Sequence, residues 1–289
     1  MRSSAGISIA TLCICAIFSF LAGPAWAAQG ALRIVSLAPS ITETLFALGA
    51  GPEVVGVSQF TEYPPAARHL PQVGTYLTPN VEAIIGLRPT LIVALESSAN
   101  LRPMRAFAKM GYPTLIVGEG SLATIEQTIN RIGERVGRAH EASDLIAAIH
   151  RHFASVEARL GKADSPKVLM LVGHQPMVAV GSSNFLNELI TMAHGNNIAV
   201  SSGEPWPKLS MEFVIANAPA VIIDGQMGND AASPSNFWRH YPSIPAVQNH
   251  RLYGYADDPM LKPGPRVWQS LEILASMIHP ELIKPTVIE

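Results

Sequence analysis

The sequence predicts an α/β protein with two Rossmann-like α/β lobes, a single long rigid helix that joins them, and a ligand cleft between the lobes. Two stretches of the chain alternate short β-branched apolar runs with helical patterns, which is typical of mainly parallel sheets covered by helices. Between these stretches, residues 121–160 lack a strand pattern and carry apolar residues at helical spacing. Two α/β units with a helical segment between them account for the whole pattern.

The first α/β stretch contains four strand patterns and three helical patterns. Strands are predicted at 32–37, 54–57, 91–95 and 114–117, and helices at 41–48, 80–87 and about 101–110. Ser40 has the residue type of an N-cap for the first helix, and Glu43 follows at the spacing of a capping box.

The remaining elements complete the connecting helix and the second lobe. One helix is predicted up to about residue 137 and a long one over about 141–160, followed by strands at 167–172 and 220–223 and helices at about 184–193 and 271–278. We therefore expect a first lobe, a connecting helix and a second lobe. Their spans are residues 28–140, 141–164 and 165–289.

The first 27 residues have the pattern of a secretory signal peptide. Arg2 precedes the apolar run 7–21, and Ala25-Trp26-Ala27 forms an A-x-A cleavage site. Gly23-Pro24 interrupts the run, whereas a membrane span needs about 20 continuous apolar residues. We expect cleavage after Ala27 and an exported protein, and retention as a membrane anchor is the alternative interpretation.

Composition and charge exclude several classes of function. The formal net charge is −2 and only 15% of residues are charged, so no basic surface for nucleic acid or an anionic membrane is expected. Both cysteines, Cys13 and Cys15, leave with the signal peptide, so we expect no disulfide or thiolate metal site in the mature chain. The G-x-S-x-G, Walker, G-x-G-x-x-G and H-E-x-x-H patterns are absent, and we predict that the protein is not an enzyme.

The two lobes contain a repeated segment, residues 80–93 and 210–223. Each copy has a polar cap, a glutamate two residues later, a short helix, a proline and an apolar strand. The glutamates are Glu82 and Glu212. The repeat therefore predicts one equivalent glutamate on each lobe.

Aromatic residues make up only 7% of the chain, so their positions are informative. Several stand in connections rich in proline and glycine, where they could form the walls of a site for a flat apolar ligand. They are Tyr63, Tyr76, Trp206, Trp238, Tyr253 and Tyr255. The prolines on both sides of Trp206 favour a displayed ring.

Two polar residues are further candidates for a ligand site. His174 follows a buried-type strand directly, and strand ends in open α/β sheets face the ligand crevice. The alternative interpretation is that His174 is an ordinary loop histidine with no contact to a ligand. Arg266 lies in a proline-rich loop just before the last helix and could pair with a ligand carboxylate or phosphate.

At these residues the chain resembles periplasmic substrate-binding proteins whose two lobes are joined by one rigid helix. Such proteins serve ABC importers of cobalamin, iron–siderophores and haem. The resemblance covers essentially the whole mature chain and is carried by the segments 33–43, Tyr63-Pro64-Pro65, 73–76, 79–82, 196–198 and Gly264-Pro265-Arg266. It is closest to the cobalamin carriers, because Pro205-Trp206-Pro207 resembles their Pro-Trp-Pro segment and Arg266 matches their arginine near the last helix.

The resemblance implies a periplasmic, monomeric carrier without a cofactor, which binds cobalamin or a related corrinoid as its transported ligand. Tyr63, Tyr76, Trp206, His174 and Arg266 would bind that ligand. Glu82 and Glu212 would each pair with arginines of the permease dimer.

Other functions stay open at this point. A haem carrier would use Tyr76 and His174, the latter as a possible axial ligand to the metal. An iron–siderophore carrier comes third. The alternatives of a different class are an exported, two-lobed metal-dependent enzyme and a sensor domain that passes its signal to another partner.

Overall fold

The computed structural model describes residues 31–174, 176–225, 234–255 and 257–284. The predicted signal peptide, residues 1–27, lies outside the described residues. Within them, nine strands are β1 Ile34–Ser36, β2 Val54–Val57, β3 Leu91–Leu95, β4 Thr114–Val117, β5 Lys167–His174, β6 Met177–Ala179, β7 Asn196–Asn197, β8 Val221–Asp224 and β9 Leu252–Gly254.

Eleven α-helices cover these strands in the same part of the chain. They are α1 Pro39–Ala47, α2 Val81–Gly86, α3 Ser98–Lys109, α4 Leu122–Arg135, α5 Ala139–Leu160, α6 Phe185–Met192, α7 Met211–Asn217, α8 Pro234–Trp238, α9 Pro245–Gln248, α10 Asp257–Met260 and α11 Val267–Ile278. Across the described ranges, no helix is both long enough and apolar enough to cross a membrane.

The strands form two sheets, which confirms the predicted α/β architecture. The first sheet is entirely parallel, with the strand order β2-β1-β3-β4. The second has the order β6-β5-β8-β9, with β7 also paired to β5, and only β6 is antiparallel. Residues of β1, β3 and β8 are buried throughout, as expected for strands covered by helices on both faces.

A continuous apolar core runs from one sheet to the other through α5. The same cluster of buried side chains contains Ile34 from the first sheet, Ile149 and Val156 from α5, and Val168 from the second sheet. Trp268 on α11 stacks against His152 of α5, with ring centroids 3.9 Å apart. Because α5 contributes to a core shared with both sheets, moving the lobes apart would expose apolar surface.

The first helix corrects a local prediction. Helix α1 begins at Pro39, and its N-cap, Ala38, makes no side-chain capping hydrogen bond. The predicted capping box of Ser40 and Glu43 is therefore wrong. Proline suits the first helical turn because its missing N–H needs no partner there. The Glu43 carboxylate instead accepts hydrogen bonds from Arg266, which lies 223 positions later in the chain.

Candidate ligand-binding site

The sequence repeat is also a structural repeat. The Asn80 side chain caps α2 by accepting a hydrogen bond from the Ala83 amide at 3.0 Å, and Ser210 caps α7 in the same way through the Phe213 amide at 3.3 Å. Each copy then places a left-handed residue before its proline, Arg88 at φ 48° and Ala218 at φ 49°. The repeat therefore places equivalent turns and helices in both lobes.

The two repeated glutamates are exposed in the first turns of these short helices. Glu82 lies in α2 and Glu212 in α7. A carboxylate in the first turn is favoured by the helix dipole. A hydrogen bond with the Ser210 side chain, and another with the backbone amide of Glu212, lower the pKa of the Glu212 carboxyl below its ordinary value. Glu212 is therefore ionised at neutral pH and available to a cationic partner.

Tyr76 and Trp206 occupy equivalent positions, four residues before the start of each repeated segment. Each stands six residues before the repeated glutamate of its lobe, Glu82 or Glu212. Their side chains are exposed to nearly the same extent, 44% for Tyr76 and 45% for Trp206. One half-exposed aromatic ring per lobe, at corresponding sites, is the main feature of the candidate site.

The backbone on both sides of Trp206 is hydrogen-bonded to the end of β6 and to the residues that follow it. The Pro205 carbonyl accepts from the Gly181 amide at 3.0 Å, and the Pro207 carbonyl accepts from the Ala179 amide at 2.9 Å. A Cβ atom on Gly181 would collide with the carbonyl oxygen of Glu204, so this close approach requires glycine. The ring is thus presented from an anchored segment.

A loop with further exposed aromatic rings is hydrogen-bonded to the segment that precedes Tyr76. The loop that follows β2 contains Phe60 and Tyr63, which are 73% and 41% exposed. The Gln59 amide of this loop donates to the Gly74 carbonyl of the next loop at 2.8 Å. Phe60 was not among the residues predicted from the sequence, and its φ of 63° is rare for a bulky residue and is a structural signal of a special site.

Arg266 reaches the first lobe and binds a buried carboxylate there. Its Nε donates to Glu43 Oε2 at 2.8 Å and its Nη2 donates to Glu43 Oε1 at 2.6 Å. The Glu43 side chain is 1% exposed and that of Arg266 is 14% exposed. The guanidinium carbon also lies 3.9 Å from the centroid of the Tyr63 ring. The structure therefore brings Tyr63 and Arg266 together and adds Glu43 to them.

His174 is the last residue of β5 and pairs with Met177 across a tight hairpin to β6. The strand is therefore longer than predicted and turns back as a hairpin, where the sequence pattern predicted its end at residue 172. The His174 side chain lies outside the described part of the structure. Within the described ranges, no group of three or more His, Cys, Asp or Glu side chains is arranged to hold a metal ion.

Other predicted loop aromatics belong to regular elements. Trp238 lies in α8, is fully buried, and donates from Nε1 to Asp224 Oδ2 at 2.8 Å. Tyr253 lies in β9. The Tyr255 hydroxyl donates to the Leu171 carbonyl at 3.0 Å. The prediction of a loop position was therefore wrong for Trp238 and Tyr253, and these contacts give Trp238 and Tyr255 a structural role.

Known proteins resemble this chain over most of its length. A sequence profile described as periplasmic binding protein matches residues 34–259. The vitamin B12-binding protein of Yersinia pestis (strain Pestoides F) is 27% identical over 220 residues, which cover 76% of this chain and 79% of the relative.

Solved structures share the fold. The apo form of a periplasmic haem-binding protein from Roseiflexus sp. RS-1 has a TM-score of 0.77 and 28% identity, covering 87% of this chain and 99% of that chain. The periplasmic vitamin B12-binding protein of Vibrio cholerae has a TM-score of 0.75 and 24% identity, covering 86% of this chain and 96% of that chain.

Proposed function

Because the chain belongs to the periplasmic binding protein family, we propose that it is the substrate-binding protein of an ABC importer and that it carries cobalamin or a related corrinoid. A relative at 27% identity is a vitamin B12-binding protein. We further propose that the protein is exported after cleavage at Ala27, acts as a monomer and catalyses no reaction of its own.

The observation that carries the corrinoid proposal is the matched pair of half-exposed rings, Tyr76 and Trp206, one in each lobe. A corrin ring has two broad faces and an edge, so aromatic side chains from two lobes can contact it from opposite sides. Aromatic side chains bury about 150–250 Å² each and therefore dominate the energetics of such contacts. Tyr63, also exposed, adds a third ring beside Arg266.

Delivery to the permease is proposed to depend on Glu82 and Glu212. They are exposed in equivalent helical turns of the two lobes, so they suit a partner that itself has two equivalent halves. Arginines of the permease dimer would pair with these carboxylates. We also propose residues 28–140 and 165–289 as the lobes and 141–164 as the connecting segment, with little hinge motion because α5 shares the core of both sheets.

A haem carrier is the second candidate. The haem-binding protein of Roseiflexus sp. RS-1 is 28% identical to this chain, so the identities do not separate the two ligand classes. In this alternative Tyr76 and His174 would contribute to haem binding. An iron–siderophore carrier remains a third proposal.

An absorption spectrum of the protein purified from its native host separates these candidates. A bound corrinoid gives the visible bands of a cobalt corrin, whereas bound haem gives a Soret band. Corrinoid bands that co-purify with the protein at a molar ratio near one are the expected result. A Soret band at that ratio would contradict the corrinoid proposal and would make haem the proposed ligand.

A further inference from the structure

The carboxylate of Glu188 joins the two lobes at the start of a helix. Glu188 lies in the first turn of α6, in the second lobe, and its Oε2 accepts a hydrogen bond at 3.2 Å from the Leu122 amide at the start of α4, in the first lobe. We propose that Glu188 is a positioning residue that fixes the spacing between Tyr76 and Trp206 across the cleft. This inference rests on the proposed function, because those two rings are its proposed ligand contacts.

The first lobe offers Glu188 an amide that belongs to a helix terminus. Ser121 caps α4 by accepting from the Thr124 amide at 3.1 Å, whereas the Leu122 amide lies in the first turn, where amides have no partner within the helix itself. A carboxylate at this end is favoured by the dipole of α4 and makes a charge-assisted hydrogen bond. Glu188 therefore completes the cap of a helix that belongs to the other lobe.

Helix α4 and the segment that carries Tyr76 are both anchored to the first sheet. The Thr128 hydroxyl of α4 donates to the Gly118 carbonyl, next to the end of β4, at 2.7 Å. At the other edge of this sheet, the Val73 amide donates to the Val57 carbonyl of β2 at 2.9 Å. The start of α4 and the Tyr76 segment are therefore held by one sheet.

In the second lobe, one turn of α6 separates Glu188 from the segment that carries Trp206. Asn184, the N-cap of α6, is buried, and its Nδ2 donates to the Pro205 carbonyl at 3.4 Å. The Asn184 carbonyl accepts from the Glu188 amide at 3.2 Å. The position of Trp206 is therefore tied, through the first turn of α6, to the Leu122 amide of the first lobe.

Loss of this hydrogen bond should widen the range of spacings between the two rings. A ligand that needs contact with both rings then binds only the fraction of molecules with the right spacing, and its apparent dissociation constant rises by the inverse of that fraction. If about one molecule in ten keeps the right spacing, the affinity falls about tenfold.

Two substitutions remove the hydrogen bond from opposite sides. Glu188→Ala removes the acceptor, whereas Glu188→Gln keeps a side-chain oxygen that can accept. Leu122→Pro removes the donor at the first helical position, which suits proline, and Ser121 before it is already extended. The matched control is Glu126→Ala, which removes a partly buried carboxylate of α4 that pairs with His150 of α5 at 2.6 Å.

Spin labels would measure the spacing of the lobes without any ligand. Met110→Cys and Val200→Cys place one label at an exposed site of each lobe, and both natural cysteines, Cys13 and Cys15, precede residue 28. Dipolar spectroscopy of residues 28–289 would give the distribution of distances between the labels. Calorimetry of the unlabelled variants would give their affinity for cyanocobalamin.

The expected result is that Glu188→Ala and Leu122→Pro each broaden the distance distribution and weaken cyanocobalamin binding by about tenfold. The two combined should lose no more than either alone, because they remove the same interaction. Glu188→Gln and Glu126→Ala should keep the wild-type distribution, with affinity within about twofold of the wild type.

An unchanged distribution in Glu188→Ala overturns the inference, and so does a broadened distribution with unchanged affinity. Equal broadening in Glu188→Gln and Glu188→Ala overturns it as well. If Glu188→Ala fails to fold, Leu122→Pro decides by the same criteria. Absence of cyanocobalamin binding by the wild type overturns the corrinoid proposal, whereas the label distances then decide this inference by themselves.

Discussion

Replacing Arg266 by methionine should destabilise the protein strongly. The substitution removes two hydrogen bonds to Glu43, of 2.8 and 2.6 Å, and leaves a carboxylate that is 1% exposed without its arginine. Breaking a buried ion pair on one side costs about 3–5 kcal/mol in the free energy of unfolding. Loss of the contact between Arg266 and Tyr63 adds about 0.5–1 kcal/mol.

The thermal midpoint reports this loss directly. For a domain of this size, each kcal/mol lowers the midpoint by about 2–4 °C, so a total loss of about 3.5–6 kcal/mol should make Arg266→Met unfold roughly 7–24 °C below the wild type. Scanning calorimetry and urea titration of the mature protein would measure the change.

A second variant separates the loss of the ion pair from general packing damage. In Glu43→Met with Arg266→Met, both charged groups are gone, and replacing a buried pair by apolar side chains is often close to neutral. The double variant should therefore recover at least half of the lost stability. The conclusion that this pair is a buried, coupled unit is wrong if Arg266→Met has the same thermal midpoint as the wild type. It is also wrong if the double variant is no more stable than Arg266→Met.

Three further predictions concern docking, ligand contact and pH. Glu82→Lys combined with Glu212→Lys should abolish transport into cells and leave ligand affinity unchanged, because both carboxylates are exposed in helical turns of the repeat. Alanine in place of Tyr76 or of Trp206 should weaken ligand binding by about 30-fold each, the effect of losing an aromatic contact worth ~2 kcal/mol. Glu119→Gln should stabilise the protein at neutral pH but not at pH 4. Burial raises the pKa of the Glu119 carboxyl, so the wild type, but not the variant, loses stability as pH rises above the ordinary value of 4.5.

Each of these has its own control or contrary outcome. For docking, weakened ligand affinity in the double lysine variant would assign the glutamates to the ligand site. For the aromatic pair, Met110→Ala removes another exposed apolar side chain, 49% exposed at the end of α3, and should not change affinity. For Glu119, urea titrations at several pH values would measure the free energy of unfolding of the variant and of the wild type. A difference between the two that stays the same at every pH would contradict the burial argument.

The local features of the fold could be predicted from sequence because they depend on neighbouring residues. The repeat of residues 80–93 and 210–223 fixed the caps Asn80 and Ser210 and the positions of both glutamates. It also relates Tyr76 to Trp206, since each precedes the repeated glutamate by six residues.

The contacts that could not be predicted from the sequence join distant parts of the chain. Glu43 and Arg266 are separated by 223 positions, so a capping box was the local explanation for Glu43. Trp238 has proline and glycine nearby and resembles a loop residue, but its indole N–H finds Asp224 in the core. Phe60 has no local sequence signal for its positive φ. These assignments depend on tertiary packing, which residue spacing does not encode.

The most direct test of the central claim is calorimetry of residues 28–289, the proposed mature protein, with cyanocobalamin and with haemin. If the chain is a corrinoid carrier, cyanocobalamin should bind at one molecule per protein, and binding should weaken sharply in the Trp206→Ala variant. No heat with cyanocobalamin, together with one-to-one binding of haemin, would contradict the claim.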